Sequence, residues 1–152
     1  MLSVPCAEWA RIVAHLEAGY PHEACGILIG EIDGAQLRVH EAILTRNAWA
    51  ADAAAPDDPQ ADAHSLRDRY LIDPHDIVRA DRDAAKRNLD IIGFFHSHPD
   101  WPCQPSETDR AWAWPVVAFL IVSVPAGRVG DAAAWVLRDD RSAFDGLALE
   151  IA

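Results

Sequence analysis

Cysteine, basic residues and long apolar runs are all scarce in this sequence, and each shortage excludes a class of protein. The three cysteines among 152 residues (Cys6, Cys25 and Cys103) are sparse and odd in number, which argues against a disulfide framework and fits the reducing cytoplasm. No apolar stretch approaches the roughly 20 residues of a membrane-spanning helix. The N-terminus lacks the basic and apolar segments of a secretory signal. We therefore expect a cytoplasmic protein.

Positive charge is low as well. The chain has 13 lysines and arginines against 24 aspartates and glutamates, which gives a formal net charge of −11. Nonspecific binding to nucleic acids and to anionic membranes depends on positive charge, so neither is predicted as a partner, and a partner with a basic surface is favoured. Hydrophobic residues make up 51% of the chain, enough for a sizeable core. The length predicts a single domain over residues 1–152.

Hydrophobic periodicity predicts an α/β fold. Apolar residues at helical spacing predict a helix over residues 5–18, ended by Gly19 and Pro21. Its predicted core-facing residues are Trp9, Ile12, Val13 and Leu16. The predicted strands share apolar runs between turn residues and are residues 25–32, 36–45, 69–72, 91–95, 116–124, 132–138 and 144–151. This order of elements favours a mixed β-sheet flanked by helices.

Two more helices are predicted from their starting residues. Asp73 and Pro74 are typical of a helix N-cap and first position, and this helix is expected to run to about Asn88. Its predicted inner residues are Ile77, Val78, Ala84 and Ala85. A short helix is predicted over residues 107–112, with Ser106 as its N-cap.

Three further features each allow two interpretations. Residues 47–68 are rich in Ala, Asp and Pro and predict a long loop, which either borders a substrate groove or is a solvated connection. Trp101 either contacts a substrate or packs onto the core as a lid. Cys103 either ligates or inhibits a bound metal or senses oxidation, or it is an incidental, partly buried thiol. Cys25 follows the apolar strand pattern and is predicted to be buried and inert.

The most informative feature is a polar motif over residues 96–109. The segment reads HSHPDWPCQPSETD, in which His96, His98, Ser106 and Asp109 form the pattern H-x-H-x7-S-x-x-D. Two imidazoles and one carboxylate suit Zn²⁺, and three protein ligands with one open position are typical of a catalytic zinc. The motif therefore predicts a hydrolytic site with one Zn²⁺ per chain. The alternative is that both histidines are ordinary hydrogen-bonded groups at a strand end.

The flanking sequence indicates how these ligands would meet. Residues 91–95 predict a buried strand that ends at the histidines, and side chains two apart on a strand point to the same side. His96 and His98 would then share one metal, while Ser97 faces away. Prolines stiffen the loop that follows, and the helical turn capped by Ser106 would bring Asp109 back to the metal.

Together these motifs resemble the JAMM, or MPN-plus, zinc isopeptidases. Besides residues 93–109, the resemblance includes the E-A-C-G-I-L-I-G run that starts at Glu23 and the R-Y-L-I-D-P segment that starts at Arg69, so it spans nearly the whole chain. It is strongest for the small prokaryotic, Mec-like branch, which acts on ubiquitin-like sulfur-carrier proteins. The resemblance implies a cytidine-deaminase-like fold, in which a mixed sheet is flanked by helices.

The resemblance also implies a role for each motif residue. His96, His98 and Asp109 would bind Zn²⁺, Glu23 would serve as general base and acid, and Ser106 would donate a hydrogen bond to the developing oxyanion. These roles suit amide hydrolysis, which needs a proton for the leaving group and a donor for the oxyanion. Taken alone, Glu23 would be an ordinary surface glutamate and Ser106 a helix cap. The spacing in the sequence does not predict that residue 23 lies near residue 96, so the role of Glu23 depends on the resemblance.

The leading hypothesis is a zinc metalloprotease or isopeptidase that cleaves after the C-terminal glycine of a ubiquitin-like or sulfur-carrier protein. Its thin Gly-Gly tail would lie along an exposed strand edge. Two alternatives stay open: a noncatalytic MPN-type interaction module, and a zinc hydrolase that acts on another amide substrate. A homodimer is compatible with the sequence, which does not determine the oligomeric state.

Overall fold

The computed structural model describes residues 1–49 and 64–152. In this part the helices are α1 (Cys6–Gly19), α2 (Pro74–Ala85) and α3 (Glu107–Trp112). The strands are β1 (Leu2–Val4), β2 (Cys25–Asp33), β3 (Gln36–Thr45), β4 (Asp90–Pro99), β5 (Ala118–Val124), β6 (Ala132–Leu137), β7 (Phe144–Leu147) and β8 (Leu149–Ile151). The predicted bounds of β3 and α3 agree with the structure.

These strands form one mixed sheet with the order β7-β6-β5-β4-β2-β3-β1-β8. β4 pairs in parallel with β5, and β1 pairs in parallel with β3 and β8, whereas the remaining pairs are antiparallel. Only Ala148 separates the two edge strands β7 and β8 in the chain, so the sheet curls and its two edges approach each other at this residue. The predicted mixed sheet flanked by helices is confirmed.

Helices cover both faces of the sheet because its central strands are apolar on both sides. On one face α1 packs against a core that includes Leu28 and Phe95. On the other face α2 packs against a core that includes Ile27 and Phe94. Neighbouring residues of a strand alternate between the faces, so a run of consecutive apolar residues fills both cores. β4 carries this pattern into the functional motif. From Phe94 onward its even-numbered residues face the α2 side, whereas Ile92, before an irregularity in the register, packs into the core on the α1 side.

The helix α1 follows the sequence prediction closely. Ile12 and Leu16 are fully buried, and Trp9 packs against the same core while partly exposed. The helix ends at Gly19, as predicted. Cys25, at the start of β2, is also fully buried, and burial raises the pKa of its thiol to about 11, which agrees with an inert side chain.

The helix α2 starts where it was predicted and ends earlier. The Asp73 side chain accepts a hydrogen bond from the His75 N–H at 2.8 Å, which makes Asp73 the N-cap. The helix ends at Ala85 because Asn88 adopts a left-handed conformation with φ of 55° and turns the chain towards β4. The predictions that Val78 and Ala85 face the core were wrong, since Val78 is 56% exposed and Ala85 is exposed as well, and Ala80 is buried instead.

Three strand predictions also need correction. Residues 69–72 are irregular and form no strand, because Leu71 bonds to residues 47 and 48 instead of to a neighbouring strand. Residues 144–151 form two strands at opposite edges of the sheet instead of one. β1 was not predicted, since three residues between β3 and β8 leave too little pattern to read. Within the described residues, no helix has the length and apolar character to cross a bilayer.

Candidate functional site

The end of β4 brings His96 and His98 together. The strand was predicted to end at the histidines, but it extends to Pro99, so both histidines lie inside it. Their positions two apart place both rings on the α2 face, and the two Nε2 atoms are 3.1 Å apart. His96 is fully buried and His98 nearly so.

The pairing register of β2 and β4 places Glu23 next to the two histidines. Cys25 on β2 pairs with His96 on β4 in antiparallel register, so the residue two positions before Cys25 lies beside His98. Ser97 faces away from the histidine rings, as predicted, and its Oγ accepts a hydrogen bond from the Ala24 N–H at 2.9 Å. The Ser97 N–H in turn donates to the Ala24 carbonyl at 2.9 Å. The ligand atoms of Glu23, His96 and His98 consequently lie within 4.8 Å of one another.

Asp109 reaches the histidines from the first turn of α3. Ser106 caps this helix: its Oγ accepts from the Asp109 N–H at 3.1 Å, and its N–H and hydroxyl both donate to Asp109 Oδ2 at 2.7 Å. This capping box holds the Asp109 carboxylate in one orientation. Its Oδ1 is 3.1 Å from His96 Nε2, and its Oδ2 is 3.4 Å from His98 Nε2.

The spacing of these three side chains fits a small cation. Tetrahedral ligands about 2.0 to 2.1 Å from a zinc ion are about 3.3 to 3.4 Å apart, and the closest approaches of His96, His98 and Asp109 are 3.1 to 3.4 Å. His98 Nδ1 donates to the Pro102 carbonyl at 2.7 Å, so in the neutral ring Nε2 carries a lone pair. That lone pair faces a carboxylate oxygen of Asp109 at 3.4 Å, and a cation between the two acceptors would make this arrangement favourable.

The protonation states of Asp109 and His96 also favour the binding of a cation. Burial opposes ionisation of Asp109, but His96, His98 and the Ser106 N–H outweigh it and hold the Asp109 pKa far below its usual range. Burial lowers the pKa of His96 and so favours its neutral, metal-binding form. Burial, followed by the negative charge of Asp109, raises the pKa of Glu23 to about 9. A bound cation would reverse this effect on Glu23.

The loop between His98 and Asp109 is fixed by residues that the sequence did not identify. Trp135 Nε1 donates to the Cys103 carbonyl at 3.0 Å, and Ser123 Oγ donates to the Trp101 carbonyl at 2.7 Å. Cys103 is half-buried, and burial raises its thiol pKa, which disfavours the metal-binding thiolate. The Trp101 side chain is 67% exposed, so it does not pack down as a lid.

Tyr70 is a further site residue whose position the sequence did not predict. Its ring stacks on the His96 imidazole, with centroids 4.4 Å apart and planes inclined by 23°. Nδ1 of His96 is buried and has no hydrogen-bond partner among the described residues. The stacking with Tyr70 therefore helps to orient the His96 ring in place of a hydrogen bond at Nδ1.

A groove of about 470 Å³ opens beside these residues. Glu23, Ser106 and Asp109 line its polar end, and most of the other lining side chains are aromatic or aliphatic. Its apolar lining includes Ile72, Ile77, Phe94, Trp112, Trp114 and Phe119. The described part of the predicted 47–68 loop contributes Asp68 to the lining. Residues 50–63 lie outside the described part of the chain, so the prediction that this segment borders the groove stays a prediction for them.

Known proteins resemble this chain along most of its length. A family model described as prokaryotic homologs of the JAB domain matches residues 7–138, a range that includes the five predicted site residues. The curated protein Desampylase of Haloferax volcanii is 32% identical over 123 residues, which cover 78% of this chain and 76% of that protein. A solution structure from Desulfitobacterium hafniense has a TM-score of 0.79 at 23% identity, covering 100% of this chain and 93% of that one. A JAB1/MPN domain protein of Archaeoglobus fulgidus has a TM-score of 0.55 at 16% identity, covering 98% and 97%.

Proposed function

Since the chain belongs to the family of prokaryotic JAB-domain proteins, we propose that it is a zinc-dependent isopeptidase of ubiquitin-like or sulfur-carrier proteins. It would act in the cytoplasm as a single JAMM/MPN-plus domain over residues 1–152 and hydrolyse the bond after the C-terminal glycine of its substrate. The observation that carries the proposal is the convergence of His96, His98 and Asp109 at 3.1 to 3.4 Å, with the buried Glu23 beside them.

The geometry supports a separate proposed role for each site residue. His96, His98 and Asp109 would hold one Zn²⁺, which when bound supplies Lewis acidity and makes water acidic enough to ionise near neutral pH. Glu23 would accept a proton from the attacking water and pass it to the leaving nitrogen, which cannot depart as an anion. Ser106 holds Asp109 through its hydroxyl and, once that hydroxyl rotates, would donate to the developing oxyanion.

The groove supports a protein tail as the substrate. Its polar end contains Glu23, Ser106 and Asp109, and its apolar wall continues to Trp114, whose side chain is 52% exposed. A Gly-Gly tail presents no side chains next to the scissile bond, so its backbone would approach the buried ligands closely. The relative named Desampylase supports a conjugate of a ubiquitin-like protein as the substrate class.

The first test of the proposal is cleavage of a sulfur-carrier protein that carries a short peptide beyond its Gly-Gly end. We expect a product that ends at the second glycine, loss of cleavage with a zinc chelator, and recovery when zinc is added back; mass spectrometry identifies the product. A matched substrate with Ala-Ala in place of Gly-Gly serves as the control and should be cleaved more slowly. Full zinc occupancy without any cleavage would favour the interaction module or another amide substrate.

A second prediction separates the two roles of Ser106. Ser106→Ala should lower kcat about a hundredfold, the effect of losing one oxyanion donor, and should cost about 1 kcal/mol of stability through the lost helix cap. The matched control is Asp73→Ala, which removes the N-cap of α2. Kinetics and thermal unfolding should show similar destabilisation of both variants and a large kcat loss in Ser106→Ala alone. Equal kcat values would mean that Ser106 is only a cap.

A further inference from the structure

All the hydrogen-bonding positions of the Asn47 side chain are occupied. Nδ2 donates to the carbonyl oxygens of Glu23 and Arg69, both at 2.9 Å. Oδ1 accepts from the N–H groups of Trp49 and Leu71, both at 3.1 Å. A primary amide has two donor hydrogens and two acceptor lone pairs, so every donor and acceptor of this side chain has a partner. Because two partners are carbonyl oxygens and two are N–H groups, they also determine which amide atom is the nitrogen and which is the oxygen. Asn47 is therefore held in one orientation.

The backbone of Glu23 depends on these contacts because it lies outside the sheet. The pairing of β2 with β3 and with β4 begins at Cys25, two residues later, so within the described residues no strand partner positions Glu23 directly. Its carbonyl accepts from Asn47, and its N–H donates to the Leu66 carbonyl at 2.6 Å. Both polar groups of the Glu23 backbone are thus bound by Asn47 and by the segment of residues 64–72.

Asn47 also holds the peptide on both sides of Tyr70. It accepts from Leu71 and donates to Arg69, and the Ala48 N–H adds a bond to the Leu71 carbonyl at 2.8 Å. Tyr70 between them stacks on His96. One side chain therefore connects the backbone of Glu23 to the segment whose tyrosine covers a histidine of the site.

We propose that Asn47 is a positioning residue, which sets the Glu23 carboxylate against His96 and His98 by fixing the Glu23 backbone. The inference rests on the proposed hydrolytic function, in which Glu23 transfers the proton. Proton transfer and attack require close alignment, and a displacement of about 1 Å can cost about a hundredfold in rate. Asn47 would affect turnover without touching the substrate or the metal.

Asn47→Asp tests the donor half of this side chain. The carboxylate has the same shape and still accepts from Trp49 and Leu71, but it cannot donate to Glu23 and places negative charge against a carbonyl oxygen. We expect kcat to fall about tenfold to a hundredfold, with KM and zinc content within about twofold of the wild type. The matched control is Asn88→Asp on the surface, which should leave kcat unchanged. Loss of zinc or of cooperative unfolding in Asn47→Asp would overturn the inference.

A double-mutant cycle tests whether Asn47 acts through Glu23. In the Glu23→Gln background, Asn47→Asp should lower the residual turnover no further, because the group that it positions is already disabled. A further loss by the same factor as in the wild type would show that Asn47 acts independently of Glu23, and the inference would fail.

Amide hydrogen exchange separates this inference from the proposed function. In Asn47→Asp the Glu23 N–H should exchange at least about tenfold faster, because its bond to Leu66 depends on the anchored Glu23 backbone. This measurement needs no substrate, so it tests Asn47 even if the wild-type protein cleaves no conjugate. Unchanged exchange at Glu23 would overturn the positioning role, whereas an inactive wild type would overturn only the isopeptidase.

Discussion

Glu23→Gln is expected to lower kcat about a thousandfold and to leave zinc binding intact. The amide has the size of the carboxyl group but cannot accept the proton of the attacking water, and positioned acid–base groups contribute about a hundredfold to ten-thousandfold. The fold should tolerate the change, because burial and Asp109 raise the Glu23 pKa to about 9 in the metal-free protein, where the side chain is neutral near pH 7, as glutamine is. Single-turnover kinetics and metal analysis of the same sample would measure both effects.

The matched control for this variant is Glu31→Gln at the other end of β2. Glu31 is half-exposed and pairs with Arg38 and His40 on the surface, so its substitution should leave kcat and zinc content unchanged. Near-wild-type cleavage by Glu23→Gln would remove Glu23 from the mechanism. If such a variant also kept its zinc and its partner binding, the noncatalytic interaction module would become the better hypothesis.

His98→Ala is expected to abolish zinc binding and, with it, cleavage. The substitution removes one of three proposed ligands and also the hydrogen bond from Nδ1 to the Pro102 carbonyl. Even residues that only orient a metal ligand contribute about tenfold to a hundredfold in metal affinity, so the loss of a ligand should exceed about a hundredfold. Zinc content after dialysis against a weak chelator, measured beside the wild type, would show the loss.

The control for His98→Ala is His75→Ala, since the His75 side chain is 91% exposed on α2. That variant should keep its zinc and its activity. Thermal unfolding of both variants would show whether the variant that loses its zinc is still folded. Unchanged zinc content in a folded His98→Ala variant would defeat the ligand assignment.

Local features of the chain allowed much of the fold to be predicted. The periodicity of residues 5–18, the Asp73-Pro74 start and the Ser106 cap each act within one or two helical turns, so they are readable from neighbours in sequence. Val78 shows the limit of such patterns, because this apolar residue at helical spacing stays 56% exposed among the residues that the structure describes. Residues 69–72 show another limit, since their short apolar run predicted a strand, but the backbone of Leu71 bonds to residues 47 and 48.

The sequence by itself determined that His96 and His98 share a side of one strand and that a capped helical turn returns Asp109 after a short, stiff loop. These relations depend on two-residue and three-residue spacings, which local geometry imposes. Only the tertiary structure decided the rest: Glu23 beside His98, Tyr70 over His96, and Asn47 between Glu23 and Arg69. Those contacts join residues more than 20 positions apart through sheet register and long-range hydrogen bonds. Such pairings form only when distant segments pack together, so no local pattern in the chain encodes them.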